Sequence, residues 1–167
     1  PEWDDYLCRE RQLSVEIIEQ YRLGLCDRYG KPRVSIPVAD GTGEIVDIRL
    51  WLPPKYRKAS EAKILPWEKG YGSTRLFPID QLEAEELLLV EGEMDTLALI
   101  SHGLNALTLT SGANTWHDNI SHLFAGKTVI IAMDNDKQGK EGAIKRAKSL
   151  EAYAESVQLA TWPSDRP

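Results

Sequence analysis

No apolar run in the sequence approaches the ~20 residues that a helix needs to cross a bilayer. No secretory apolar segment stands at the start. There are only two cysteines, Cys8 and Cys26, and they form no CxxC pair. That argues against a cysteine-built zinc site and suits a reducing, cytoplasmic setting, with two ordinary packing or surface thiols as the simplest account. Internal repeats and low-complexity tracts are absent, which sets aside solenoids and disordered linkers. A basic surplus is also missing: 20 Lys and Arg face 26 Asp and Glu, a formal net charge of −6. Proteins that grip duplex DNA along its backbone usually carry the opposite balance. Either nucleic acid is not the partner, or the acids gather where a metal offsets them. The distribution of charge decides, because its total cannot.

What is present suits a soluble globular protein. With 167 residues, 42% hydrophobic and 28% charged, the chain is long enough for one good core or for two small lobes sharing an interface. A start at Pro1 rather than Met is expected of an excised fragment. The run "LSVEIIEQYRLGL" (13–25) predicts an amphipathic helix, with Ser14 as N-cap, Val15, Ile18 and Tyr21 on one face, and Gly24 as its stop. In "RVSIPVADGTGEIVDIRLWLP", two strand-like runs flank the turn "DGTG", which predicts a β-hairpin. Residues 53–80 are punctuated by Pro53, Pro54, Pro66, Pro78, Gly70 and Gly72 and read as loops and short strands. Basic residues, among them Lys55, Arg57, Lys63 and Lys69, interleave there with Trp51, Tyr56, Trp67 and Tyr71.

From about residue 84 the pattern changes. Strand "ELLLVE" leads into helix "MDTLALISH" with Gly103 as its stop, then come strand "ALTLT", the polar turn "SGANT" and a short helix "WHDNISHLF". Strand "TVIIAM" runs through the acidic turn "DNDKQG" into helix "KEGAIKRAKSLEAY", and "SVQLATW" is a last strand. Strands alternating with helices predict right-handed βαβ units, hence an α/β fold with a parallel sheet and helices on both faces. A small α+β subdomain over residues 1–82 is expected to precede this domain, which takes residues 83–167.

Two junctions share one feature: a buried apolar run ends in acids just before a helix. Glu91 ends the first, and Asp134 and Asp136 end the second. In open parallel sheets, ligand sites form outside the carboxyl ends of the strands. Neighbouring strands lie ~4.8 Å apart, so the three side chains can converge if the strands pair. Asp95, one helical turn beyond Glu91, can lean the same way. Like charges ~4 Å apart repel by about 4 kcal/mol even at an effective dielectric near 20. Such a cluster wants a proton or a divalent cation, and carboxylates without nearby His or Cys favour Mg2+ or Mn2+. Acids at helix N-termini are also favourable without any ligand, and Glu93, Asp118 and Glu141 are read that way. Capping explains one junction at a time, whereas a shared ion explains both.

"VEGEMD" followed by "MDNDKQG" resembles the TOPRIM domain, with its motif glutamate and DxD. The preceding order, "LSVEIIEQYRLGL", then the hairpin, then "KILPWEKGYGSTRLFPIDQL", is similar to the cores of DnaG-type and phage primases. The resemblance runs from about residue 10 to the end. It implies a DNA primase catalytic core that joins ribonucleoside triphosphates into RNA primers on a single-stranded DNA template. It implies Glu91, Asp134, Asp136 and Asp95 as the catalytic set, with Glu91, Asp134 and Asp136 as ligands of Mg2+ or Mn2+. Lys63 and Arg49 match basic residues that hold nucleotide phosphates or template. It further implies a zinc-binding module and a replicative helicase in other parts of the parent, no membrane partner, and, from the variant flanks, a phage or other mobile-element origin. Acids that the family uses after the last strand are represented here by Asp165 alone.

The rival readings are a TOPRIM nuclease or strand-breaking enzyme, a non-catalytic module of a helicase, and a receiver domain. Gly92 breaks the acidic pair that a receiver needs. "WLPPKYRK" could stack unpaired bases, although packing of Trp51 under the hairpin is the simpler account. His117 and His122, five apart, do not have the i, i+4 spacing of a zinc helix and are read as structural.

Overall fold

The computed structural model describes residues 3, 5–68, 74–110 and 115–163. Lys69, Gly70, Tyr71 and Gly72, most of the turn "SGANT", and Asp165 lie outside the described residues.

After a π-helical turn, Asp5–Glu10, the first helix, α1, covers only Val15–Gln20. Ser14 is its N-cap, accepting from the Ile17 N–H at 3.3 Å. The helix expected over 13–25 is therefore cut short. Arg22 takes φ +52° and turns the chain, and Gly24 opens strand β1 instead of closing a helix. The strands pack closely there: a Cβ at residue 24 would lie 2.8 Å from Ser35 Oγ, and that hydroxyl would have to turn away. The buried side of α1 also differs from expectation. Ile17 is buried, with Ile18 and Tyr21 packed alongside, while Val15 is 56% exposed.

Strands β1 (Gly24–Arg28), β2 (Lys31–Ala39), β3 (Ile45–Trp51) and β4 (Ile64–Pro66) form an antiparallel sheet in sequential order. The expected hairpin is β2–β3. Its turn closes because Asp40 Oδ1 accepts from the Thr42 N–H and hydroxyl at 2.8 and 2.7 Å, and Gly43 supplies φ +86°.

The second sheet has the order β5-β7-β6-β8-β9. Its strands are Leu76–Phe77, Glu86–Val90, Ala106–Leu109, Thr128–Ala132 and Ser156–Leu159 for β5 to β9. β6 to β9 run parallel, and β5 lies antiparallel on the edge against β7. Helix α2 (Glu93–Ser101) joins β6 to β7, and α3 (Lys137–Leu150) joins β8 to β9. The segment "WHDNISHLF" yields a 3-10 helix, Asp118–Phe124.

The chain leaves β6 toward β7 on one side, whereas β8 and β9 lie on the other. Right-handed crossovers in opposite directions put α2 and α3 on opposite faces. The core divides accordingly. Ala147 and Leu150 of α3 pack with Leu87, Leu107, Phe124 and Ile131. Met94 and Leu97 of α2 pack with Tyr6, Ile17, Val34, Trp51 and Phe77, so the N-terminal sheet covers the α2 face. β5, which precedes residue 82, pairs with β7 in the second sheet. Among the described residues no helix is long and apolar enough to cross a membrane.

Phe124 is fully buried in the α3-side cluster. Phe124→Ala is expected to cost about 3–5 kcal/mol, read as a lower urea midpoint with an unchanged m-value.

Candidate active site

β6 and β8 are in register, with Val90 opposite Ala132. Glu91 and Asp134 therefore leave the sheet side by side, at the point where the strand order reverses. In such sheets this is where a ligand crevice opens. Asp136 follows as the N-cap of α3, its Oδ1 accepting from the Gly139 N–H at 2.7 Å. A glycine is required at 139, because a Cβ there would lie 2.2 Å from the Asp134 carbonyl oxygen. Asp95, in the first turn of α2, folds back over Gly92, where a Cβ would meet its Oδ2 at 2.9 Å and the Lys63 Nζ at 3.8 Å. The Arg11 guanidinium donates to Asp95 Oδ1 at 3.0 Å and also lies 5.4 Å from the Trp51 ring.

Beside the acids is a cavity of about 170 Å³ whose wall includes Arg49, Lys63, Glu91, Gly92, Glu93 and Thr110. Lys63 is exposed at its mouth. Arg49 is buried. Its Nη2 donates to the Thr110 carbonyl at 2.6 Å, its Nη1 lies 3.6 Å from Asp47 Oδ2, and its Nε lies 3.5 Å from Glu93 Oε1. It therefore ties the hairpin to the start of α2 and the end of β7. The structure brings Glu91, Asp134, Asp136, Asp95 and Lys63 into one neighbourhood and sets Arg49 behind them.

A family model described as Toprim-like matches residues 88–166. The DNA primase of Escherichia coli strain K12 is 32% identical over 169 residues, covering 92% of this chain and 29% of that protein. The chain belongs to the TOPRIM-domain primases. It spans less than a third of the curated relative's length, 29%. Solved structures agree on the fold. The Aquifex aeolicus primase, with its zinc-binding and RNA polymerase domains, superposes with a TM-score of 0.75 at 19% identity, covering 99% of this chain and 50% of that one. A DnaG primase catalytic domain bound to ssDNA gives 0.71 at 20% identity, covering 95% and 63%.

The electrostatics of this primase core bear on what it can hold. Burial pushes the Glu91 carboxyl above its usual range, and the charges of Asp134 and Asp136 add to this; the Asp134 backbone N–H and Lys63 oppose it. Asp134 is raised by burial and by Asp95 and Asp136, against Lys63. The acids thus feel one another, as predicted for gathered carboxylates, and Lys63 offsets only part of the repulsion. Glu91 Oε2 is buried and makes no hydrogen bond.

TOPRIM primases are in general metal-dependent. Among the described residues, however, no three His, Cys, Asp or Glu side chains form a ready-made cage. The donor set is open, all-oxygen and partly pre-empted, since Asp136 caps α3 and Asp95 pairs with Arg11. Magnesium takes one or two carboxylates and fills its remaining positions with water and substrate phosphate. Glu91 and Asp134 fit that requirement.

Two groups escaped the sequence reading. Glu93 was expected to cap a helix. It is instead 6% exposed in the cavity wall, and burial raises its carboxyl to about 7 against its own backbone N–H, Arg49 and Lys63. A pair of acids flanking one glycine at a strand–helix junction was the available signal. The other is Arg146 on α3, 1% exposed. Its Nη1 lies 3.6 Å from Met133 Sδ and its guanidinium 5.7 Å from the Trp116 ring. Burial lowers it to about 10, while the Glu91 charge acts in the opposite direction. A buried cation therefore lies beneath the acidic cluster. Trp51 is buried and stacks on Tyr6 at 5.7 Å, so it is not available to bases. Tyr56 sits half-buried, 5.9 Å from Trp3.

Two outcomes are expected. Gly139→Ala pushes the Asp134 turn aside, lowering the melting temperature and weakening Mn2+ binding measured by electron paramagnetic resonance. For Glu93, the folded carboxyl binds its proton near 7 and the unfolded one near 4.5. The folded state holds that proton more tightly, so stability is highest below about 4.5 and falls as pH rises to about 7. Glu93→Gln removes this slope, as urea midpoints at several pH values would show.

Proposed function

We propose that the chain is the catalytic core of a DNA primase, joining ribonucleotides on single-stranded DNA. The observation that carries this is the emergence of Glu91 and Asp134 side by side from neighbouring parallel strands, with Lys63 across the mouth. The fold of the ssDNA-bound DnaG catalytic domain supports it.

Glu91, Asp134 and Asp136 would hold Mg2+ or Mn2+, which when bound lowers the pKa of the attacking hydroxyl and offsets charge on the triphosphate. The chain's own groups do the rest. The carboxylates orient toward the reacting phosphate, and Lys63 binds triphosphate oxygens as a point charge. The 3′-oxygen of one nucleotide bonds to the α-phosphorus of the next, the bond to pyrophosphate breaks, and the hydroxyl proton passes to solvent. Asp95, fixed by Arg11, keeps the negative field of the cluster in place. Arg49, proposed with Lys63 to hold phosphates, reaches the site through Glu93 and Thr110, and direct phosphate contact would require it to leave the Thr110 carbonyl. Template DNA, a zinc-binding module and a replicative helicase are the proposed partners of the cytoplasmic parent.

The test is primer synthesis on single-stranded DNA by the full-length parent, with Mg2+ or Mn2+. Glu91→Gln and Asp134→Asn are each expected to reduce synthesis at least about a hundredfold. Melting temperatures should hold or rise, because mutual repulsion is relieved. Full activity in either variant sinks the mechanism. Metal-dependent cleavage without nucleotide-dependent synthesis would favour the nuclease reading.

A further inference from the structure

Glu93 is not explained by helix capping or by ion binding at the strand ends. It is buried, with its side chain 8% exposed, and it lines the same cavity as Glu91 and Lys63. Its Oε1 forms a buried ion pair with the Arg49 Nε at 3.5 Å, a separation at the outer limit of a hydrogen bond. A single long ion pair leaves a carboxylate with room to accept a further donor, and a ligand in the cavity can supply it. The cavity of about 170 Å³ has the volume of roughly five or six waters. That is room for a sugar ring.

The chemistry of the wall narrows the occupant. Arg49 and Lys63 offset the charges of Glu91 and Glu93 in this wall. Arg49, Thr110 and Glu93 give the wall polar groups, and Trp51, Ile64 and Met94 give it an apolar side. A compact group with an apolar ring face and hydroxyl donors suits such a mixed wall. In nucleotidyl transfer, the sugar is the group directly bonded to the reacting atoms on both sides: through O5′ to the α-phosphate and through C3′ to the attacking oxygen. A cavity that shares Glu91 with the reaction centre therefore lies where a sugar must pass.

We propose that Glu93 is a specificity-determining residue, accepting a hydrogen bond from a ribose hydroxyl and so selecting ribonucleoside over deoxyribonucleoside triphosphates. This rests on the reading of the site as a nucleotidyl-transfer centre. A site that leaves a buried polar group unpaired rejects the analogue lacking the matching hydroxyl. Arg49 acts as a positioning residue that holds the carboxyl group toward the cavity.

The experiment compares ATP with dATP in primer extension by the full-length parent and by its Glu93→Gln and Glu93→Met variants, with thermal melts alongside. The ribo-to-deoxyribo ratio of kcat/KM should fall at least about tenfold in Glu93→Met, mainly through a raised KM for ATP. Glu93→Gln, which keeps an acceptor oxygen, should retain part of the ratio. Should Glu93→Met fail to fold, ATP and dATP affinities of Glu93→Gln decide instead, and their ratio should move toward one. Equal slowing of both triphosphates with an unchanged ratio overturns the proposal and leaves Glu93 as a prop for Arg49. A shifted Mn2+ half-saturation at constant ratio also overturns it, placing Glu93 in the ion's shell. No synthesis by the unmodified parent overturns the reading of the site itself, which is a different result from synthesis with an unaltered ratio.

Discussion

The structure turns on a repulsion. Glu91 and Asp134 are forced out of the sheet together by the pairing of β6 with β8, and each carboxyl is partly taken from water. Everything nearby compensates. Arg146 lies beneath, Lys63 lies across the mouth, Arg11 draws off Asp95, and the first turn of α3 takes one oxygen of Asp136. A site with its cations placed around it rather than inside it suits a positive guest, and on the proposed reading that guest reconciles a net charge of −6 with a nucleic-acid partner.

Much of this was legible in the residues. The parallel sheet could be read because its strands are short, continuous apolar runs, which only burial on both faces sustains. The acids at two junctions could be read because each interrupts such a run abruptly. The limits are equally physical. A glycine after a short helix looks the same whether it closes the helix or opens a closely packed strand, and Ser35, on the partner strand, settles the matter for Gly24. An acid in a first helical turn looks the same whether it faces water or a cavity. For Glu93 the difference is made by Arg49, which comes from the other sheet. Arg146 sits among exposed lysines in sequence, and only the packing of Trp116 and Met133 reveals its burial.

The two sheets are not independent bodies joined by chance contact. The cluster over α2 is made from both, and Arg49 bonds across the same seam. The cavity is therefore a property of the junction: one wall comes from the hairpin and the other from the strand ends. Changes in the N-terminal sheet reach the acids through buried ion pairs, for which removing one partner leaves an uncompensated charge.

The cap on α3 carries a consequence of its own. Asp136 Oδ1 is already engaged by the Gly139 amide, so a guest that draws on that oxygen competes with the beginning of a 14-residue helix, whereas one that uses Oδ2 does not. In the first case occupancy and the tightness of that opening coil are coupled. The amide of Gly139 becomes a natural gauge of filling, loosening when the oxygen is claimed and tightening when it is released.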